Sequence, residues 1–258
     1  MNIKRDIIMA RMKFMNIEID NITMTEALDI IDELIQKNKN AYVVTPNVDH
    51  IVQLENDVEF QSVYKNADLV LVDGKPLLWI AKHYGTPIKE KISGSDLFPL
   101  LCERAAIKQY KMFFLGAAEG IAEKAAYNLK NRYAGLQVVG TYSPPYGFEN
   151  DDGEVNNIIN MISSAAPHIL IVGLGAPKQE KFIAKYRNLL GVPISLGLGA
   201  SLDFEAGNKK RAPKWMSKCG LEWLYRLFSE PGRLAKRYWH DIKAIIPLVK
   251  KYNPSKKL

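Results

Sequence analysis

Several short apolar stretches of this sequence run into small, polar or acidic residues, and those junctions are where its side chains could do chemistry. Ala41–Val44 leads into Thr45-Pro46-Asn47, with Asp49 and His50 next, and Asp68–Val72 leads into Asp73-Gly74. Lys111–Leu115 ends at Gly116-Ala117, and His168–Val172 at Gly173-Leu174-Gly175-Ala176-Pro177-Lys178-Gln179-Glu180. Pro193–Leu198 ends at Gly199-Ala200-Ser201-Leu202-Asp203. A carboxylate at a strand's carboxyl end, such as Asp73, is placed to act as a general base, although an Asp-Gly pair alone is more often a turn. Thr45 and Asn47 read equally well as turn formers or as a polar active-site pair. Gly173-x-Gly175 lacks the third glycine of a dinucleotide fingerprint, yet its glycines let a phosphate approach backbone N–H groups at a helix start. Asp203 could cap whatever follows it. His50, His83 and His168 read as structural or surface residues, because no His, Cys or Asp cluster has metal-ligand spacing. No Asp-x-Asp occurs to hold a divalent ion against a nucleotide diphosphate.

The elements that position these junctions alternate. Residues 12–18 predict an opening strand, and Thr23-Met24-Thr25-Glu26 fits a capping box before the amphipathic helix EALDIIDELIQK. One helix is expected over about 50–66, one over about 75–83 and one from near Ser95. Strands at 111–115, 136–142, 168–172 and 193–198 then alternate with helices at 118–132, 154–164 and 177–189. Short apolar strands separated by helices of this length predict parallel βαβ units. In such sheets ligands bind beyond the carboxyl ends of the strands, where the polar junctions lie. After Gly207 the pattern changes to helices rich in Arg, Lys, Trp and Tyr, with breaks expected at Pro231 and Pro247. The fold class is therefore α/β: a Rossmann-like, mostly parallel sheet with helices on both faces over residues 1–207, and a basic, aromatic-rich helical appendage over 208–258.

The charge breaks at the same place. From Ala206 onward there are 14 Lys and Arg against 3 Asp and Glu, a net charge of +11, whereas the whole chain carries +7. A mildly acidic body with a basic tail points to phosphates, either of nucleic acid or of an anionic lipid surface. Trp215, Trp223, Tyr225, Phe228, Tyr238 and Trp239 interleave with the tail's charges, a mixture suited to a membrane interface. Arg226, Arg233 and Arg237 would share one helix face if Pro231 did not intervene. Cys102 and Cys219 read as reduced thiols of a cytosolic protein. The start, MNIKRDIIMARMKF, lacks an apolar core of signal-peptide length, and no run of about 18 apolar residues occurs.

Taken in order, VVTPNVDH, LVDG, ISGSDL, FLGA, GLGAPKQE, GLGASLDFEAG, KRAPKW and GLEWLYRLFSEPGRLAKRY resemble the WecG/TagA/CpsF glycosyltransferases, from about Ile17 to Tyr238. The resemblance implies a metal-independent, inverting transfer from a UDP-sugar to a sugar on a polyprenyl diphosphate, at the cytoplasmic face of the membrane. It implies no cofactor and no nucleic-acid partner, and is compatible with a homo-oligomer. By it, Asp73 takes the place of the catalytic base, and Thr45 and Asn47 that of an active-site polar pair. Gly173, Gly175, Gln179 and Asp203 fall on the donor side, and Arg226, Arg233 and Arg237 in the segment that grips the acceptor diphosphate. Two departures stand out. Lys91 replaces the arginine usual before GSDL, giving a point charge in place of a bidentate fork as a donor-phosphate contact. Lys75-Pro76-Leu77, after Asp73-Gly74, looks more like the exopolysaccharide branch than the N-acetylmannosaminyl branch. Two rival classes remain, a nucleotide-cofactor oxidoreductase and a non-enzymatic lipid- or nucleic-acid-binding module. The missing third glycine, with no acidic residue about 20 positions on, weighs against the first. The polar strand ends are unexplained by the second.

Overall fold

The computed structural model describes residues 11–254, with only the backbone of Lys214 and Lys218. In chain order the first half holds β1 (Met12–Phe14), β2 (Ile17–Ile19), α1 (Met24–Lys37), β3 (Ala41–Val44), α2 (Val48–Gln53), α3 (Val58–Lys65), β4 (Leu69–Val70) and α4 (Lys75–His83). Then come α5 (Gly94–Lys108), β5 (Lys111–Gly116), α6 (Ile121–Arg132), β6 (Gln137–Tyr142), α7 (Asp152–Ala165), β7 (Ile169–Gly173), α8 (Lys178–Leu190) and β8 (Ile194–Gly197). The chain closes with α9 (Ser201–Glu205), α10 (Lys214–Cys219), α11 (Glu222–Ser229) and α12 (Pro231–Lys251). By its contacts the chain forms two compact units. Among the described residues, the first joins 11–23, Pro46–Ile92 and 212–254; the second joins Met24–Thr45 and Ser93–Arg211. The tail expected as an appendage over 208–258 thus belongs, from Ala212, to the same unit as residues 46–92.

In the second unit the strands run parallel in the order β3-β8-β7-β5-β6. β3, β7 and β8 are apolar and buried almost throughout, as strands covered on both sides must be. β6, at the end of the order, is only half-buried, and Val139 bulges from its register with β5. Gly140 is needed beside that bulge, since a Cβ there would lie 2.4 Å from the Phe113 ring. The helices bury one stripe each, as with Ala27, Leu28, Ile31 and Ile35 of α1. The chain passes from β5 outward to β6, then back across β5 to β7 and on to β8, so the order reverses between β5 and β7. That reversal is where parallel sheets leave a crevice.

In the first unit the expected opening strand is an antiparallel hairpin, β1 with β2, turning at Met15, whose φ is 52°. Asp20 closes it onto β4, its N–H donating to the Val70 carbonyl at 3.0 Å and its Oδ2 accepting from the Val70 N–H at 2.8 Å. The single helix expected over 50–66 is two helices. Asp57 causes the break: its carboxylate accepts from the Phe60 N–H at 2.9 Å and caps α3. Expected breaks in the tail are half right. Pro231 opens α12, where a missing N–H costs nothing, but Pro247 lies inside α12 and the helix continues through it. The tail is pinned within its own unit: Tyr84 Oη donates to the Val249 carbonyl at 2.8 Å, and Glu55 accepts from Lys251 and from Tyr252 Oη. Burial favours the neutral form of Glu55, but these bonds and one from Asn16 outweigh it and hold the carboxyl below its ordinary range.

Candidate active site

In the first unit the site is built on the turn after β3 and the turn after β4. Asn47 caps α2, its Oδ1 accepting from the His50 N–H at 3.3 Å. His50 is buried, with Nδ1 2.8 Å from Tyr64 Oη and Phe60 edge-on, so it serves the packing of α2 on α3. Asp73 is half-buried. Its N–H donates to the Pro46 carbonyl at 2.8 Å, and the Ile92 N–H donates to the Val72 carbonyl at 2.9 Å. The chain on either side of Asp73 is therefore fixed, and Gly74, with φ 102°, turns it into α4. Thr45, buried at the end of β3 in the second unit, is covalently next to Pro46.

Lys91 also belongs to the first unit. Its Nζ lies 3.8 Å from Glu222 on α11, and Glu222 further accepts from Ser217 Oγ at 2.8 Å. Of the three tail arginines, Arg233 and Arg237 lie one turn apart on α12, whereas Arg226 is on α11, across the break at Glu230. Arg233 donates to Glu230 at 2.7 Å, and Arg237 lies 3.9 Å from Asp49 on α2. The side of α12 turned into the unit carries Leu234, Asp241 and Leu248. Away from them Trp239, Ile242 and Ile246 are exposed as an apolar stripe, with Lys243 Nζ over the Trp239 ring at 4.6 Å.

In the second unit the carboxyl ends of β5, β7 and β8 converge on glycines. The Ala117 N–H donates to the Gly173 carbonyl at 2.9 Å, and a Cβ on Gly116 would lie 2.6 Å from that same carbonyl oxygen. A Cβ on Gly173 would lie 3.0 Å from the Gly199 carbonyl oxygen. Gly175 has φ 79° with nothing near its missing Cβ, so its backbone is open to a ligand. Gln179 is buried and already bonded, accepting from the Gly199 N–H at 3.0 Å and donating to Glu180 at 2.7 Å; it holds α8 against the β8 turn. Asp203 lies in α9 and accepts from Asn208 Nδ2 at 2.8 Å.

The structure thus brings Asn47 and Asp73 to neighbouring turns of the first unit, the unit to which Lys91 and the tail arginines also belong. It brings Gly173, Gly175 and Gln179 to the strand ends of the second. Sequence reasoning missed the roles of Asp49 and Asp241, which flank Arg237. The signal for the second was present, since Asp241 follows Arg237 by four residues and is one of only 3 acids among the tail's 14 basic residues. Among the described residues no three His, Cys, Asp or Glu side chains gather as a metal site, and no helix is long and apolar enough to cross a membrane.

Curated relatives share this sequence over most of its length. One from Bacillus spizizenii strain W23, named N-acetylglucosaminyldiphosphoundecaprenol N-acetyl-beta-D-mannosaminyltransferase, is 35% identical over 199 residues, covering 77% of this chain and 75% of the relative. A protein of the same name from Bacillus subtilis strain 168 is 31% identical over 222 residues, 84% of this chain and 83% of that one. Another, from Staphylococcus aureus strain MW2, is 27% identical over 229 residues and 88% of each chain. The family described as the glycosyl transferase WecG/TagA/CpsF family matches residues 12–257. With the motifs in order, the parallel sheet and this match, the chain is a glycosyltransferase and belongs to the WecG/TagA/CpsF family.

Proposed function

We propose that this enzyme transfers an N-acetylmannosaminyl group from a UDP donor, with inversion and without a resident metal, to N-acetylglucosamine linked through a diphosphate to a polyprenol. The donor sugar follows the names of the relatives, which outweigh the Lys75-Pro76-Leu77 sequence. The observation that carries the reading is Asp73: a carboxylate at a strand end, backbone fixed by Pro46, in the unit that also supplies Arg233 and Arg237. Asp73 removes the proton from the attacking acceptor hydroxyl, a role worth roughly 10²–10⁴-fold in rate. The Gly173–Gly175 turn offers backbone N–H groups to the donor diphosphate, and the Gln179 N–H ties that turn to α8 by donating to the Gly175 carbonyl at 2.9 Å. Lys91 and the arginines are the cations available to offset charge on the departing UDP and on the acceptor.

The tail supports a peripheral place on the cytoplasmic face of the membrane. Trp239, Ile242 and Ile246 form an exposed apolar stripe beside Lys243, and Trp215 and Phe228 are exposed as well. Aromatic and aliphatic side chains bordered by lysines fit an anionic lipid surface, with apolar groups among the acyl chains and cations on phosphates. Thermal unfolding tests the donor class: UDP should raise the unfolding temperature and NAD should not, the reverse favouring an oxidoreductase.

A further inference from the structure

α12 holds a cluster that the acceptor reading leaves unused. Arg237 places Nη1 3.9 Å from Asp49 Oδ2 on α2, and Asp241 follows one turn later on Arg237's own helix. Asp241 is only 5% exposed, and both its Oδ1 and the Nε of Arg237 are buried without a hydrogen-bond partner. The exposed His240 lies with Nδ1 3.7 Å from that same oxygen. On α11, the other helix packed on α12, the charged groups are Glu222 and Arg226, and Glu222 is turned to Lys91 and Ser217. Asp49 therefore faces the guanidinium from α2, while Asp241 sits one turn along α12 with no bond to it; with both carboxylates ionised and His240 neutral, these groups and Arg237 carry one net negative charge. Burial, then the charge of Asp49, push Asp241 up to about 6, with Arg237 and His240 pulling the other way. A diphosphate drawn to the basic residues of α12 would add negative charge beside this buried carboxylate, which has no hydrogen-bond partner at Oδ1.

We propose that Asp49 is a positioning residue for Arg237, and that binding of an acceptor diphosphate at this arginine is coupled to the uptake of one proton at Asp241. The inference rests on the assignment of Arg237 to the acceptor diphosphate. The balance is simple: the phosphate oxygens replace Asp49 at the guanidinium, and the buried, unpaired Asp241 carboxylate, now beside added negative charge, takes a proton from solvent to become a neutral acid. A diphosphate diester has no ionisation of its own near neutrality, so any proton uptake belongs to the protein. Because one proton is linked to binding, affinity for such a diester should fall by about tenfold per pH unit well above pH 6.

The test is calorimetric titration of the full chain with a sugar-free dimethyl diphosphate diester at about pH 7.5, in two buffers of different ionisation enthalpy. The wild type should take up close to one proton on binding. Asp241→Asn should take up none and bind more tightly at this pH. If Asp241→Asn does not fold, as read by circular dichroism, Asp49→Asn carries the test and should bind the diester more tightly at pH 7.5 than the wild type. Binding without proton uptake, or the same uptake in Asp241→Asn, overturns the proposal while leaving the acceptor reading intact. No binding of the diester overturns both. Diester binding with proton uptake by a protein that transfers no sugar would leave this linkage standing and sink the proposed reaction alone.

Discussion

The backbone N–H of Asp73 donates to the carbonyl oxygen of Pro46 at 2.8 Å. The turn after β4 and the turn that starts α2 are thereby one rigid piece, so the carboxylate of Asp73 and the cap made by Asn47 keep a fixed relation. In the proposed role of base, a side chain whose backbone is so held can meet a substrate hydroxyl with little reorganisation, as general-base catalysis requires.

Asp73→Asn preserves size and the backbone bond but cannot take a proton. The turnover number should fall by at least about 10²-fold, while UDP still protects the variant from thermal unfolding. Near-normal turnover would remove Asp73 from the role of base.

Stability should depend on pH through Asp241. Its carboxyl is held up to about 6 in the fold and has an ordinary, lower value when unfolded. The protonated form is favoured by folding, so this contribution is fully present below about pH 4 and is lost as pH rises to about 6. Asp241→Asn should therefore be more stable than the wild type at about pH 7.5, by an amount of order 2 kcal/mol, and nearly equal to it at about pH 4. Urea unfolding at the two pH values reads this, and a difference that grows toward acid would contradict it.

Two glycines of the second unit should respond differently to alanine. At Gly116 the φ of 110° and a Cβ only 2.6 Å from the Gly173 carbonyl oxygen leave no room, so Gly116→Ala should lose at least about 2 kcal/mol or fail to fold. At Gly175 the space is open and only the φ of 79° resists, so the loss should be about 1 kcal/mol. Equal losses in denaturant unfolding would mean that the strand ends do not converge as described.

The outer stripe of α12 should bind lipid. Full-length protein is expected to sediment with anionic vesicles at low salt and to be released at high salt, since charge contacts weaken with screening. Replacing Trp239, Ile242 and Ile246 together by serine should leave the helical circular dichroism unchanged and keep the protein in the supernatant. Sedimentation equal to that of the wild type would refute the stripe as the lipid-facing surface.

Much of this was legible in the sequence, and the exceptions have physical causes. The alternation of apolar strands and amphipathic helices from Lys111 to Leu198 reads directly, because buried parallel strands are continuous apolar runs. The break between α2 and α3 was hidden because Asp57 looks like any helix-surface acid until its carboxylate is seen to cap Phe60. Pro247 misled because a proline ends a helix only when the lost hydrogen bond is not offset, and α12 is held beyond it by Leu248, Tyr84 and Glu55. The strand-end residues were found by position alone, whereas the place of Gln179 as a brace for Gly199 needed three dimensions. So did the grouping of Asp49 with Arg237, residues far apart in sequence that meet only when α12 packs on α2.

The most direct test of the account is a transfer reaction with purified protein, excess EDTA, a panel of UDP-sugars and a polyprenyl-diphosphate-linked N-acetylglucosamine analogue, followed by mass spectrometry. The account predicts a product heavier by one N-acetylhexosamine, formed from the UDP-N-acetylmannosamine donor and undiminished by the chelator. Formation only from a different UDP-sugar, or only when magnesium or manganese is restored, would contradict it.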